Sequence, residues 1–311
     1  AMIHSTVNAY GKVNFILKML GTLPNGYHAL ESYMQAVSLK DTVIIGWQPE
    51  PEGQTEELVI TLDPGRSDLP CDRGNLAFRA AELMHRLYHA GIRERIHITV
   101  EKHIPVAAGL AGGSADGAAV ITGLARLWGL LDPEHPTEAQ LKQLEPAAAQ
   151  LGADLPFCLW AQNGKTSAKA YGTGTELKKA APVSARLVLL TPAIAVPTKA
   201  VYGELCPSDY EQDADPSVGS LDLFEAAASL SEKTAHMLNH LQAPALRLFP
   251  AIADSLAALQ QITLGGRPPI RVQLSGSGPT CFAVFEADAR ATDEETALLA
   301  ARGMVLADCI L

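Results

Sequence analysis

The sequence predicts an α+β fold in two parts, and three observations carry that expectation. Strand and helix patterns interleave along the chain, but turn signals such as Leu23-Pro24-Asn25-Gly26 and Ser275-Gly-Ser-Gly278 dominate over regular strand–helix–strand units. That favours α+β over a doubly wound parallel sheet. The length of 311 residues, 48% hydrophobic and 19% charged, fits one large or two medium globular domains. Finally, one glycine-rich stretch, Pro105-Val-Ala-Ala-Gly-Leu-Ala-Gly-Gly-Ser114, joins a strand pattern at 96–100 to a helical pattern at 114–127.

Taken in order, residues 3–20 alternate as a strand, the Pro-Asn-Gly turn follows, and 41–47 read as a further strand after a mixed stretch at 31–38. Residues 49–57 are a polar loop or hairpin, and 58–62 a short strand. Asn75 opens an amphipathic helix to about residue 90, with Leu76, Ala80, Leu83, Met84 and Leu87 on one side. Thr137 is the expected N-cap of a helix to about residue 151, which Pro146 should interrupt or bend. Residues 157–190 are expected to be β structure. The acidic, Pro-bearing stretch 206–220 is expected to be a mobile loop. Helices are predicted at 221–242, 244–262 and within 293–302, and strands at 270–274, 281–286 and 304–310.

Composition excludes several function classes. The net charge is −10 and no long Lys/Arg run appears, so no nucleic-acid partner is expected. No segment approaches the roughly 18 consecutive apolar residues of a membrane span, and the N-terminus lacks the pattern of a signal peptide. Five scattered cysteines without a C-x-x-C pair suggest buried thiols in a reducing compartment. The expectation is a cytoplasmic protein, a monomer or weak homodimer, with a small-molecule substrate and no membrane partner. His85/His89 and His236/His240 have the i, i+4 spacing of a zinc pair, but neither has the Glu of H-E-x-x-H, so no protein-held metal is expected.

The chemistry concentrates in the glycine-rich stretch. Gly109, Gly112 and Gly113 permit sharp backbone turns that expose N–H groups, and a helix start adds unpaired donors and a positive dipole end. Such a loop suits a phosphate; it equally suits close backbone packing. Ser114 is expected near the N-cap, where its hydroxyl caps the helix or reaches a phosphate or its metal ion. The loop is neither a Walker A motif nor a dinucleotide fingerprint, and Gly164-Lys165-Thr166 is a decoy because Leu159 stands where the upstream glycine is required.

Four stretches together resemble the GHMP kinases, the small-molecule kinase superfamily of galactose, homoserine, mevalonate and phosphomevalonate enzymes. They are Ala9-Tyr-Gly-Lys-Val-Asn-Phe-Ile-Leu17, the loop Pro105 to Ser114, Leu274-Ser-Gly-Ser-Gly-Pro-Thr280, and the set Gly26-Tyr27-His28, Gly74-Asn75-Leu76 and Leu151-Gly-Ala-Asp154. The resemblance implies a two-domain GHMP-kinase-like fold, with an ATP-binding part at 1–157, a substrate-binding part at 158–311 and the active site in the cleft between them. It implies ATP-dependent phosphorylation of the 2-hydroxyl of a diphosphocytidyl-methylerythritol substrate in the non-mevalonate isoprenoid pathway, with Mg2+ accompanying ATP.

By the same resemblance Asp154 is the catalytic base and Lys12 its partner. A carboxylate that takes the proton of a poorly nucleophilic alcohol typically contributes about 10² to 10⁴ in rate, and a nearby lysine keeps it ionised and neutralises phosphoryl charge. The bland alternatives are a turn cap for Asp154 and an edge-strand charge for Lys12. Pro105, Ala107, Ala108, Gly109, Leu110, Ala111, Gly112, Gly113 and Ser114 are the implied phosphate-binding residues, and Asn75 and Lys102 the adenine-side contacts. Asn75 also makes an ordinary N-cap. Tyr27, His28 and Tyr202 are the implied cytosine readers, with Asn14 on the methylerythritol side; alternatively Tyr27 and His28 are surface residues and Tyr202 core. Asp116 either assists the metal or is an ordinary acid in a first helical turn. Two departures stand out: the loop ends Ser114-Ala-Asp-Gly rather than in a second serine, and Asn239-His-Leu-Gln242 replaces an acidic Asn-Asp-Leu-Glu signature.

Overall fold

The computed structural model describes residues 1–211 and 214–311, and the chain clusters into two units. The first comprises Ala1–Gly11, Leu39–Val106 and Ala111–Lys165; the second comprises Lys12–Ser38, Ala107–Leu110 and Thr166–Leu311. Two long strands, β1 (Ile3–Thr22) and β2 (His28–Pro49), contribute to both. The strand at 41–47 and the mixed stretch at 31–38 are therefore one element. Its central residues are buried on both faces, which erases the alternation that marks a strand.

In the first unit the sheet order is β3-β4-β2-β1. Strand β3 (Leu58–Asp63) pairs parallel with β4 (Glu94–Glu101), and β4 pairs antiparallel with β2 from Thr42↔Glu101 to Pro49↔Glu94. Helices α1 (Leu76–Tyr88), α2 (Gly112–Leu127) and α3 (Glu138–Leu151) complete the unit, with α4 (Leu155–Ala161) after them. Val43, Ile45, Ile96 and Ile98 of the sheet share one core with Met84, Ile121 and Leu124 of the helices. Of the expected face of α1, Ala80, Leu83 and Met84 are buried and Leu76 packs against the core, joined by Ala77 and Ala81, whereas Leu87 is 47% exposed. Alanines at i, i+3 and i+4 let α1 come close to α2, a role that hydrophobicity alone does not reveal.

Two further expectations are corrected here. Pro146 lies inside α3 without ending it. The helix is held by the Thr137/Gln140 capping box and by burial of Leu141, Leu144, Ala147 and Ala148 around the proline, which offset the lost backbone bond. Residues 155–161 form a helix rather than a strand. All seven are buried, so the run is apolar on every face and carries no period that separates the two states.

The second unit is built on a four-stranded antiparallel sheet, order β11-β7-β10-β9. Before it in sequence, β5 (Ser167–Tyr171) pairs with the first part of β2 and with β6 (Glu176–Lys179). The sheet strands are β7 (Arg186–Leu190), β9 (Arg271–Leu274), β10 (Cys281–Phe285) and β11 (Val305–Asp308), and β8 (Leu238–Asn239) pairs parallel with β1. Helices α5 (Thr198–Glu204), α6 (Leu221–Ala226), α7 (Leu230–Thr234), α8 (Gln242–Leu248), α9 (Ile252–Gln260) and α10 (Asp293–Ala301) fill the connections. The two long helices expected at 221–262 are thus four short ones. Ser220 and Ser229 start separate N-caps there, and the chain extends at β8. His236 and His240 consequently share no helix. Of the expected mobile loop at 206–220, residues 212–213 lie outside the described residues; Asp209 is tied to Arg247 at 2.8 Å. Cys158, Cys281 and Cys309 are buried as expected, while Cys71 is exposed. Among the described residues no helix is long and apolar enough to cross a membrane.

Candidate active site

The glycine-rich loop is shaped by three left-handed residues: Ala107 at φ 51°, Gly109 at φ 81° and Ala111 at φ 57°. Two of them carry a side chain, at about 1–2 kcal/mol each, so the surroundings impose the conformation. At Gly109 a Cβ would strike the Ser275 carbonyl oxygen, and at Gly112 it would come within 2.8 Å of Ile104 Cγ2. Both positions therefore require glycine. The helix α2 starts at Gly112 with Ala111 as N-cap, which corrects the expected cap at Ser114: the serine is the third helical residue. Alanine offers no capping side chain, so the first N–H groups of α2 form an uncapped, positively polarised helix start.

The leading limb of the loop is anchored within the first unit by a residue that sequence reasoning missed. Asp41, fully buried on β2, accepts hydrogen bonds from the backbone N–H groups of His103 (2.6 Å) and Ile104 (2.8 Å). Its other oxygen accepts from Lys102 Nζ at 2.6 Å, and that ammonium also donates to Asp116 at 3.0 Å. Burial, then hydrogen bonding with Asp41, pushes the Asp116 carboxyl well above the usual carboxylate range, against the pull of Lys102. Burial depresses Lys102, but the two carboxylates outweigh it and raise its pKa. The raised carboxyl shifts the triad toward one cation facing one anion, the arrangement a buried triad tolerates best. Asp116 is the fifth residue of α2 and outside its first turn; its Oδ2 is engaged by Lys102. Asn75 accepts from Ala77 N–H as the N-cap of α1 and donates to the Pro70 carbonyl.

In the second unit Lys12, on β1 and only 4% exposed, donates to Asn14 Oδ1 at 2.6 Å and to the Gly109 carbonyl at 3.4 Å. Asn14 in turn donates to Ser32 Oγ at 2.9 Å, and Ser32 to the Ile16 carbonyl at 2.7 Å. The lysine is thus oriented by a buried polar chain beside the phosphate loop, unlike an edge-strand charge. The rings of His28 and Tyr202 lie 5.4 Å apart at 40°, while Tyr27 is 65% exposed after the turn. Asp154, in the first unit, occupies the N-cap position of α4 but makes no side-chain capping bond, so the turn-cap alternative does not describe it. The decoy Lys165 pairs with Glu138 at 2.8 Å. His85 and His89 both contact the fully buried Glu94 carboxylate.

A glycine-led helix start without a side-chain cap in the first unit, and an oriented buried lysine in the second, are each elements that phosphoryl-transfer enzymes use. Comparison with known proteins agrees. The family models for the GHMP kinases N terminal domain and the GHMP kinases C terminal match residues 75–162 and 216–302. The 4-diphosphocytidyl-2-C-methyl-D-erythritol kinase of Brevibacillus brevis is 34% identical, with 92% of this chain and 89% of the relative covered. The enzyme of the same name from Cereibacter sphaeroides is 37% identical over 92% of each chain. A crystal structure of 4-(cytidine 5'-diphospho)-2C-methyl-D-erythritol kinase superposes with a TM-score of 0.70 at 28% identity, covering 98% of both chains. A homoserine kinase from Cytophaga hutchinsonii, at 16% identity and a TM-score of 0.63, shares the fold alone. The chain belongs to the GHMP kinase family: it is a small-molecule kinase with ATP as phosphoryl donor.

Proposed function

We propose that this kinase transfers the γ-phosphoryl group of ATP to the 2-hydroxyl of 4-diphosphocytidyl-2-C-methyl-D-erythritol, a step of the non-mevalonate isoprenoid pathway. The substrate is that of the named relatives. The observation that carries the chemistry is the Lys12 ammonium on the Gly109 carbonyl, which puts a fixed cation beside the phosphate loop. The N–H groups at the start of α2, with Gly112, Gly113 and Ser114, receive the nucleotide phosphates, and the limb from Pro105 through Ala107, Ala108, Gly109, Leu110 and Ala111 shapes their seat. Asn75 and Lys102 border the nucleotide side. Their polar ends are committed to the α1 cap and to the Asp41/Asp116 triad, so they act by shape and by fixing the loop.

Asp154 is the general base. It takes the hydroxyl proton as oxygen bonds to the γ-phosphorus and the bond from that phosphorus to the departing ADP oxygen breaks. Lys12 steadies the charge that develops on the transferring group. Tyr27 stacks on one face of the cytosine and Tyr202 on the other, the imidazole or backbone of His28 bonds the base edge, and Asn14 meets the methylerythritol end. Stacking suits any base, so discrimination rests on the polar edges. Among the described residues no cluster of three or more acidic, His or Cys side chains is arranged for a metal. Mg2+ bound with the nucleotide would supply charge neutralisation, and the Ser114 hydroxyl is the group that the chain would offer it.

The test is ADP release with ATP and Mg2+ on diphosphocytidyl-methylerythritol, homoserine and mevalonate in parallel. Turnover on the cytidine compound alone is expected. Turnover on either of the others keeps the family and overturns the cytosine site.

A further inference from the structure

The segment Asn239-His-Leu-Gln242 departs from the acidic pattern and has no place in the chemistry above. Yet Asn239 is 8% exposed, and all three of its side-chain hydrogen-bonding groups are used. Its Nδ2 donates to the carbonyls of Leu274 (2.9 Å) and Gly276 (2.8 Å), and its Oδ1 accepts from Leu241 N–H at 2.9 Å. Only a carboxamide in this orientation satisfies two acceptors and a donor; a carboxylate would face two carbonyl oxygens. Gln242 Oε1 accepts from Leu274 N–H at 3.0 Å, so both backbone groups of Leu274 are held from one short segment.

The same segment is fastened to β1. His240 N–H donates to the Leu17 carbonyl at 3.0 Å, and His240 Nδ1 accepts from Met19 N–H at 2.8 Å. The glycine turn it grips reaches the phosphate loop. Ser275 Oγ donates to the Gly109 carbonyl at 2.9 Å, and Thr280 N–H to the Ala108 carbonyl at 3.1 Å. Lys12 closes the circuit from β1, through its backbone N–H to the Leu110 carbonyl at 3.0 Å and its ammonium to that of Gly109. The Gly109 oxygen is thus shared by the Lys12 ammonium and the Ser275 hydroxyl.

We propose that Asn239 is a positioning residue for phosphoryl transfer: it fixes the turn Leu274–Gly278, and through Ser275 that turn fixes the Gly109 carbonyl and the Lys12 ammonium. The proposal rests on the reading of Lys12 given above. A ring of hydrogen bonds transmits a displacement at one link to the others. A reacting group misplaced by about 1 Å costs about a hundredfold in rate, whereas the helix start that receives the phosphates is built by its own backbone.

The test compares Asn239→Asp, Ser275→Ala, their double variant, and Leu299→Ala as a core control remote in sequence from the ring. On ATP and the cytidine substrate, kcat of each ring variant is expected to fall roughly tenfold to a hundredfold, with KM for ATP moving less than about threefold. The double variant should lose no more than the worse single one, because both act on one link. Leu299→Ala, with equal or greater loss of Tm, should keep its kcat. Additive losses, an unchanged kcat in Asn239→Asp, or an equal fall in Leu299→Ala would overturn the proposal. Should Asn239→Asp not fold, Gln242→Ala takes its place with the same expected coupling to Ser275→Ala. Hydrogen exchange separates this proposal from the substrate assignment, since it needs no substrate. The amides of Thr280 and Lys12 should exchange at least about tenfold faster in Asn239→Asp and at the wild-type rate in Leu299→Ala; unchanged exchange in Asn239→Asp overturns the proposal even if the cytidine compound is turned over.

Discussion

Replacing Lys102 by methionine isolates the electrostatic part of the loop anchor, because methionine keeps most of the aliphatic stem and removes only the charge. In the wild type the ammonium donates to Asp41 at 2.6 Å and to Asp116 at 3.0 Å, and the Asp41 side chain has no exposure to solvent. Without it Asp41 keeps two backbone N–H donors but loses its counter-charge. Breaking a buried pair from one side costs about 3–5 kcal/mol, a large share of the roughly 5–15 kcal/mol by which a protein is stable. With a urea slope near 3 kcal/mol per molar, the midpoint should fall by about 1 M or more. The pH dependence gives the sign. Asp116 is already raised in the folded state, and removing the cation raises it further. A group raised on folding stabilises at low pH, and that contribution is lost as pH climbs through its folded value. The variant should therefore lie furthest below the wild type at pH 8 and approach it on acidification. An unfolding free energy at pH 8 within about 1 kcal/mol of the wild type, or a gap that widens toward acid, would refute the triad.

Asp154→Asn should bind nucleotide normally, by calorimetry, and lose about 10² to 10⁴ in kcat; near-normal turnover removes Asp154 from the mechanism. Tyr27→Ala should raise KM for the cytidine substrate far more than KM for ATP, and equal increases mark the tyrosine as structural. The His85 pKa is raised: burial lowers it, but the hydrogen bonds it donates to Glu94 and Glu57 outweigh that. Its stabilising share is full below about pH 6.5 and is lost as pH rises through the raised folded value. The stability difference between wild type and His85→Gln should accordingly shrink from pH 6 to pH 9, and a difference that grows contradicts the assignment.

Much of the site was legible in the sequence because local rules suffice for it. Thr137 and Asn75 cap the helices they precede, and Gly109 and Gly112 stand where positive φ and crowding, respectively, demand them. What was illegible depended on partners far along the chain. Ser114 looked like the cap because hydroxyls usually cap; nothing local reports that Ala111 is held left-handed and caps the helix three residues earlier than expected. The α4 run, buried on every side, offers no period to read.

Asp41 is the clearest case. Read locally, Lys40-Asp41 is a polar interruption between apolar stretches, with no motif to mark it. Its role comes from register: β2 meets β4 at Thr42↔Glu101, so Asp41 and Lys102 are the next residues along the same antiparallel ladder. That register is set by the inward-facing pairs beyond it, Val43 with Val100 and Ile45 with Ile98, because a slip of one residue would turn the apolar set outward. The hydrophobic pattern of two strands thus decides which acid meets which lysine. The pair then holds the His103 and Ile104 amides from which the phosphate loop departs. The anchor of the glycine-rich loop is a consequence of sheet packing, and it becomes visible only once the two strands are laid side by side.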